Sequence, residues 1–526
     1  MAVSRRLDRA PGWLAILVVV VVAAAPVAVV AWSLVDPSGG VWADLWATRL
    51  PGMITDTVTL LVTVLVGTLL LGTALAWVVT VHRFPGRRLI GWLLVTPLAI
   101  PGYVAGFVWL DTLSGPLGAR GVRSIWVCAA AMVLTLYPYV YLFARAAFRE
   151  QSADTLAAAR SLGCSAPAAF WRVALPLARP ALAAGGALVA MEVLTDVGTV
   201  RLFNVSTVAD GVLRVWFGTG NRDAASELAV VLIGTAVALI ALERGLRGRG
   251  RFTQGSATRR VGTQRSTPVA TAGVMASCIA VLVVAVAVPV ARLVGWAFEA
   301  RRTGQTVSVA GDLAHHVVNT LRIAGIATVV CVVLGTALAV LVHHRGRVAT
   351  VFGRVAALGY AVPGPVVAVG AVIALAAVDR RGLLPGGSLL VGSLAGLVYA
   401  LAVRFFAVSY QGVEAGLLRV PGAAVASSRT LGARPWRVAL RVELPMVRGA
   451  LLAGPALVAI DTVKELPITL LLRPFGVDTL SVWVWQATSE SLWVQAAVPS
   501  LAMVVVGMVA VGALLYALER GAEVVS

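Results

Sequence analysis

The sequence predicts an all-α polytopic membrane protein, and three observations lead to this fold class. Hydrophobic residues make up 59% of the 526-residue chain, against about 45–50% in soluble domains. Charged residues make up only 13%, roughly half the usual share, and the mean hydropathy is +0.90. The apolar residues also fall into about twelve runs, each near the ~20 residues that a helix needs to cross a bilayer.

The formal net charge of +19 suggests a nucleic-acid ligand until the positions of the charges are considered. The arginines cluster in short segments between apolar runs, such as 82–88 and 343–347, with exceptions at Arg301 and Arg380. This clustering is the pattern of the positive-inside rule. We therefore expect no nucleic-acid partner, and we expect both chain termini and the arginine-rich segments to face the cytoplasm.

Six apolar runs in the first half predict six membrane-crossing helices. The first run begins at Trp13 and is longer than the ~7–15-residue apolar core of a signal peptide, so it predicts an uncleaved helix. The six runs are 13–34, 57–81, 89–110, 124–147, 180–203 and 225–242. Because six crossings return the chain to its starting side, the second half should begin on the cytoplasmic side.

The second half repeats this plan after a linker. Residues 244–268 are rich in arginine, glycine, serine and threonine, a composition typical of a flexible cytoplasmic segment. The apolar runs that follow are 269–298, 316–342, 351–377, 388–410, 449–472 and 496–518. The predicted organisation is therefore a first six-helix half at 1–243, a linker at 244–268 and a second six-helix half at 269–526.

An internal repeat supports this division. One polar, basic stretch occurs twice, 269 positions apart. The first copy contains Arg160, Gly163 and Pro176, and the second contains Arg429, Gly432 and Pro445. Shorter matches, such as Pro101-Gly102 with Pro363-Gly364, accompany it. Since each half has an even number of crossings, the halves should form a parallel repeat about an axis along the membrane normal.

Four carboxylates in apolar segments are the candidate substrate pathway. Ionisable residues within the membrane are costly, so they are functional candidates by default. They form two pairs at the repeat offset, Glu192 with Asp196 and Asp461 with Glu465. Each pair has i, i+4 spacing, so both members share one helix face. Oxygen ligands suit a hard, multiply charged cation, so the four are also candidate transient metal ligands.

A purely structural role for these acids stays open. Lys464 lies three residues after Asp461, at a spacing that allows an ion pair on one helix face. Glu465 could equally pair with an arginine of a neighbouring helix. Intramembrane ion pairs of this kind also hold helices together.

The chain has no nucleotide-binding P-loop. Such a loop needs the pattern GxxxxGK[ST], and the only lysine, Lys464, follows Val463 in an apolar segment. We expect no enzymatic activity and no cofactor in this chain, so ATP and Mg²⁺ would be bound by a separate subunit. An ion-coupled secondary transporter and a non-transporting membrane scaffold are the alternatives from other classes.

The repeated stretch resembles the EAA motif of ABC-importer permeases. The resemblance rests on the spacing Gly-x9-Val-x-Leu-Pro, which ends at Pro176 and again at Pro445. It implies a type I importer (MetI-like) fold in a bacterial cell membrane. It also implies two copies of an ABC ATPase that dock on 157–176 and 426–445, and an extracytoplasmic substrate-binding protein. The glutamate usual in this motif is replaced by Ala157 and Ala426.

The segments around the four acids resemble the fused permeases of ferric-iron importers. These segments are 191–200, 461–467 and 471–475, and the fused two-half layout is shared as well. The resemblance implies alternating access that moves ferric iron into the cytoplasm. Thiamine and polyamine importers of the same architecture remain alternatives for the substrate.

Overall fold

The computed structural model describes residues 10–33, 35, 40–151, 159, 161–247, 267–304, 309–357, 359, 362–382 and 389–523. The regular elements of these residues are helical, so the predicted all-α class is confirmed. Most of the predicted linker, from 248 to 266, lies outside the described residues. On either side of it, one helix ends at Arg247 and the next begins at Pro268.

The first half contains eleven helices among its described residues. They are α1 (Ala10–Trp32), α2 (Gly40–Thr48), α3 (Leu50–Val81), α4 (Arg87–Leu93), α5 (Gly102–Val122), α6 (Ile125–Glu150), α7 (Ala166–Ala169), α8 (Leu175–Thr195), α9 (Gly198–Leu202), α10 (Val208–Thr219) and α11 (Arg222–Arg247). A 3₁₀ turn at Thr96–Ala99 separates α4 from α5, and a π-helical turn at Phe170–Ala174 joins α7 to α8.

The second half contains thirteen helices among its described residues. They are α12 (Pro268–Leu282), α13 (Val288–Arg302), α14 (Val309–His343), α15 (Arg347–Ala356), α16 (Gly364–Arg380), α17 (Leu394–Leu417), α18 (Gly422–Thr430), α19 (Pro435–Val438), α20 (Leu444–Met446), α21 (Arg448–Lys464), α22 (Pro467–Leu472), α23 (Leu480–Ser489) and α24 (Trp493–Glu523). A second π-helical turn, Val283–Ala287, joins α12 to α13, and a third, Ala439–Glu443, joins α19 to α20.

The described residues contain nine helices that are long and apolar enough to cross a membrane, or eleven if each of two bent helix pairs counts as one span. This count is slightly below the twelve expected from the sequence. The helix α16 accounts for the difference, because it has only 17 residues. It therefore extends about 26 Å at 1.5 Å per residue, less than the ~30 Å thickness of the hydrocarbon core.

Several predicted crossings are interrupted rather than straight. The run 89–110 is divided between α4 and α5, which meet at a bend of 90°, and the run 351–377 is divided between α15 and α16. Each new helix begins directly after a proline. Pro101 and Pro363 occupy the N-cap positions of α5 and α16, where the fixed φ of proline and its missing N–H prevent a continuous helix through the break.

The repeat is visible in the local structure. Ser124 caps α6 and Ser393 caps α17, each accepting a hydrogen bond from the backbone N–H three residues later. Two of the three π-helical turns of the described residues also begin 269 positions apart, at Phe170 and at Ala439. A π-helical turn is rare, so its recurrence at one repeat position indicates that both copies fold alike.

The two halves are interlocked through their first helices. Helix α1 packs against α15 and α16 of the second half, and α13 packs against α5 of the first half. At the first of these contacts, Gly370 of α16 approaches the backbone of Pro26. The central cavity described below is therefore enclosed by both halves.

Small residues bring equivalent helices together in each half. A Cβ atom added at Gly72 of α3 would lie 2.9 Å from the Tyr137 carbonyl oxygen, and one at Gly335 of α14 would lie 2.8 Å from the Tyr410 nitrogen. Glycine permits this close backbone approach, which is typical of packed membrane helices. The matching Gly-Thr-Ala-Leu-Ala segments thus mark the same helix contact twice.

Replacing Gly335 with leucine should therefore destabilise the second half. Overpacking of a close contact costs roughly 1–3 kcal/mol, and here two of the three nearest atoms belong to the backbone. We expect Gly335→Leu to lower the midpoint of thermal unfolding by several degrees in detergent size-exclusion assays. Gly325→Leu on the same helix is the matched control, because Gly325 is exposed and has nothing within 4 Å. Equal loss in both variants would contradict the packing argument.

Candidate functional site

Two helices break at equivalent points and place the predicted acids there. In the first half, α8 ends at Thr195 and α9 begins at Gly198. In the second half, α21 ends at Lys464 and α22 begins at Pro467. Irregular backbone within a membrane protein is tolerated where it lines a cavity or is buried in protein. The predicted crossings 180–203 and 449–472 are thus each divided at the carboxylates.

Asp196 and Glu465 cap the short helices that follow the breaks. The backbone N–H and the hydroxyl of Thr199 donate to the Asp196 carboxylate at 2.7 and 2.6 Å. The backbone N–H of Ile468 donates to Glu465 Oε1 at 3.2 Å. Side-chain oxygens in this position satisfy N–H groups that lack a partner within the helix. These two acids therefore have a structural role that the sequence analysis did not identify.

Glu192 and Asp461 meet at Lys464. The Lys464 ammonium lies 3.0 Å from Asp461 Oδ1 and 3.8 Å from Glu192 Oε2. It also donates to the Tyr139 hydroxyl at 3.1 Å. The Asp461–Lys464 pair that the spacing allowed is thus present, and it extends across the boundary between the halves.

Arg404 is a site residue that the sequence analysis missed. It lies on α17 and is buried, with its Nε 3.4 Å from Glu465 Oε2 and its Nη2 3.2 Å from the Thr195 hydroxyl. The sequence analysis allows an arginine of a neighbouring helix as the partner of Glu465, and the structure identifies this arginine as Arg404. Its position in the middle of the apolar run 388–410 would have identified it, since a charge there is as costly as one in the carboxylate helices.

All four predicted carboxylates line one small cavity of about 70 Å³ between the halves. Lys464 and Arg404 line it too, so four acidic groups face two basic groups. The described part of the chain contains no group of three or more His, Cys, Asp or Glu placed to hold a metal ion. In this conformation the acids are occupied by caps and ion pairs, so their role as transient metal ligands stays a prediction.

The two polar stretches form matching turns. Gly163 and Gly432 have φ values of +87° and +82°, a conformation that favours glycine because it lacks a Cβ atom. The residues before them, Leu162 and Leu431, are 84% and 87% exposed. Apolar side chains this exposed at equivalent positions mark candidate contacts for another protein.

The prolines of the motif lie early in the helices that follow. Pro176 is in the first turn of α8, and Pro445 is in the first turn of α20, where a missing N–H costs little. Arg429 is exposed in the last turn of α18, whereas Arg160 lies outside the described residues. The first stretch continues into α8 as one span, 167–195, whereas the second bends by 75° before α21.

Comparison with known proteins places these features in context. Residues 68–242 match the family described as "Binding-protein-dependent transport system inner membrane component". The chain is 25% identical over 471 residues to the "Fe(3+)-transport system permease protein FbpB 2" of Haemophilus influenzae, with 88% of each chain covered.

Shorter relatives carry other names. The "Molybdate/tungstate transport system permease protein WtpB" of Thermococcus kodakarensis is 28% identical over 182 residues, or 34% of this chain and 72% of that protein. The "Sulfate transport system permease protein CysT" of Escherichia coli is 29% identical over 187 residues, or 32% of this chain and 66% of that protein. These relatives are permease proteins, and their names specify different substrates.

Proposed function

We propose that this chain is the permease of a binding-protein-dependent importer and that it moves ferric iron into the cytoplasm. The match of residues 68–242 to the inner-membrane components of such importers supports the permease role. The single observation that carries this proposal is the cavity between the halves, which four carboxylates line. Carboxylate oxygens are suitable ligands for a hard trivalent cation. The similarity to an Fe(3+)-transport permease over 88% of the chain supports the same substrate.

The cavity charge agrees with a cationic substrate. Arg404 and Lys464 compensate two of the four carboxylates, so the lining keeps a formal excess of two negative charges. A trivalent cation that enters would be attracted by this excess, and a low-dielectric surrounding strengthens the attraction. The broken backbone beside Asp196 and Glu465 gives the lining places where the helices can change direction as the cavity opens.

Transport would proceed by alternating access driven by two ATPase copies. Each polar stretch would dock on one copy through its exposed leucine, Leu162 or Leu431. Closure of the ATPase pair would then move α8 and α21, because each stretch is followed along the chain by the helix that carries one of the pathway acids, Glu192 or Asp461. In this proposal the polar stretches and both termini face the cytoplasm, and a substrate-binding protein delivers the ion from the opposite side.

A second candidate substrate is an oxyanion. The Nη1 atom of buried Arg404 has no hydrogen-bond partner among the described residues, and Arg404 lines the cavity. Guanidinium groups bind planar and tetrahedral oxyanions well. The molybdate and sulfate permeases among the relatives make the same suggestion. The carboxylates outnumber the cations in the lining, which favours the cation over the oxyanion.

Uptake into proteoliposomes tests the substrate. The permease would be reconstituted with its ATPase and binding protein and supplied with radiolabelled ferric iron, molybdate, sulfate or thiamine. We expect ATP-dependent accumulation of iron and none of the others above the level without ATP. Preferential uptake of molybdate or sulfate would favour the oxyanion candidate, and preferential uptake of thiamine would also overturn the ferric assignment.

A further inference from the structure

The Lys464 ammonium occupies the point where acids from both halves converge. Asp461 belongs to the same helix, α21, whereas Glu192 and Tyr139 belong to α8 and α6 of the first half. The contact with Asp461 is 3.0 Å and the contact with Glu192 is 3.8 Å. Its own half therefore holds the ammonium by the close Asp461 ion pair, and the first half holds it by the Tyr139 hydrogen bond and the longer Glu192 contact.

The repeat shows that this cation is specific to one half. The position equivalent to Lys464 is Thr195, and the position equivalent to Arg404 is Thr135, each 269 residues earlier. All four residues line the cavity. The second half thus supplies two acids and two cations, whereas the equivalent positions of the first half supply two acids and two threonines. Glu192 depends on a cation that comes from across the cavity.

Burial explains why a cation is needed there. A buried carboxylate without a counter-ion costs several kcal/mol, and removing one partner of a buried pair is strongly destabilising. Lys464 supplies that counter-ion at Glu192 and Asp461 when no cargo is bound. An ammonium on a flexible four-carbon stem can also move away without unfolding the helix.

Tyr139 provides a contact that the Lys464 ammonium could keep if it moved away from the two carboxylates. Its hydroxyl accepts a hydrogen bond from Lys464, and the Lys464 nitrogen lies 5.6 Å from the centre of its ring. The face of a tyrosine ring attracts a cation within about 6 Å. Lys464 can therefore leave the two carboxylates and stay partly stabilised by the first half.

We propose that Lys464 is a tethered substitute for the cargo cation, occupying the subsite between Glu192 and Asp461 in the empty permease. In this position it holds the two halves together and keeps the subsite closed to weakly bound cations. A cargo cation enters by displacing the ammonium, so one cation replaces another and the buried acids stay compensated. The cationic nature of the cargo rests on the proposed function, whereas the link between the halves rests on the contacts alone.

Substitution of Lys464 tests both parts of this proposal. Lys464→Met removes the ammonium, Lys464→Thr installs the residue of the equivalent position, and Lys464→Arg keeps the positive charge. Arg292→Met is the matched control, because Arg292 of α13 pairs with Asp111 of the first half but does not line the cavity. Each variant would be studied in nanodiscs with the ATPase subunits bound.

The first readout is the ATPase rate without binding protein. The second is the affinity for Tb³⁺, a hard trivalent cation whose emission can be excited through nearby tyrosines. We expect Lys464→Met and Lys464→Thr to raise the cargo-independent ATPase rate several-fold and to tighten Tb³⁺ binding about tenfold or more. Lys464→Arg keeps the charge and should change both readouts less than Lys464→Met does, and Arg292→Met should stay near wild type. A variant lacking both carboxylates, Glu192→Gln with Asp461→Asn, identifies Tb³⁺ bound elsewhere.

A wild-type measurement covers the case in which the variants do not fold. Since Lys464 is the only lysine of the chain, reductive methylation of its peptide can be followed by mass spectrometry. Displacement predicts faster methylation of Lys464 when Tb³⁺ is present. Unchanged methylation, or Lys464 variants with wild-type ATPase rate and Tb³⁺ affinity, would overturn the proposal. If the Lys464 effects hold but iron is not imported, the ferric assignment fails and the tethered cation stands.

Discussion

The double substitution Glu192→Gln with Asp461→Asn should reduce ATP-driven uptake by about 100-fold or more. These side chains face each other across the boundary between the halves and share Lys464. A hydrogen bond to a charged group is worth roughly 1.5–3 kcal/mol, so each lost carboxylate should cost about tenfold or more in transport. Uptake by proteoliposomes, with the iron concentration varied, measures the effect.

The controls for this prediction separate lost transport from lost folding. The double variant leaves Lys464 without a carboxylate partner at close range, which is costly for a buried cation. Adding Lys464→Met removes that cost, so the triple variant should fold and bind the ATPase but still fail to transport. Asp44→Asn neutralises an exposed acid on α2 and should transport normally. Near-normal uptake by the folded triple variant would show that these acids are structural only.

Valine at both Gly163 and Gly432 should uncouple ATP hydrolysis from uptake. Both glycines have positive φ, a conformation that costs a residue with a Cβ atom about 1–2 kcal/mol. An added Cβ would meet nothing within 4 Å at either position, so the effect acts through the backbone of the turn. The turn would open and displace Leu162 and Leu431 from the proposed ATPase contact. Because both turns carry this cost, we expect uptake to fall at least about tenfold.

A matched glycine elsewhere tests the location of this effect. Gly220 has φ +65° and nothing within 4 Å of an added Cβ, but it lies between α10 and α11, away from the polar stretches. Gly220→Val should carry a similar backbone cost and keep uptake coupled to hydrolysis. The decisive measurement is the number of ions taken up per ATP hydrolysed. A secondary transporter would keep its uptake in the Gly163 and Gly432 variants.

The sequence predicted which segments form helices better than it predicted where those helices bend. Hydropathy and the 269-residue offset were sufficient to predict the all-α class, the approximate membrane-spanning segments and the internal repeat. They did not predict that 89–110 would divide at a 90° bend, or that one copy of the polar stretch would continue straight into α8 while the other bends before α21. Hydropathy records how apolar a segment is, whereas a bend depends on which backbone groups find partners in neighbouring helices.

The candidate site was predicted in part for a similar reason. Local spacing identified all four carboxylates and the Asp461–Lys464 pair, because these depend on one helix. The contacts of Lys464 with Tyr139 and of Arg404 with Thr195 join residues 325 and 209 positions apart. No spacing rule covers such distances. The capping roles of Asp196 and Glu465 also escaped prediction, since they depend on where each helix breaks.

The two halves contribute unequal charge to the cavity lining, and this determines how many copies of each half one cavity needs. A dimer of two first halves would bring four acids together, with threonines at the positions of Lys464 and Arg404, and the uncompensated acids would repel one another. A dimer of two second halves would neutralise its own acids and keep no excess charge for a cargo. Only one copy of each half gives a cavity that is stable and still has an excess of negative charge for a cationic cargo. Joining the halves in a single polypeptide enforces this one-to-one pairing at synthesis.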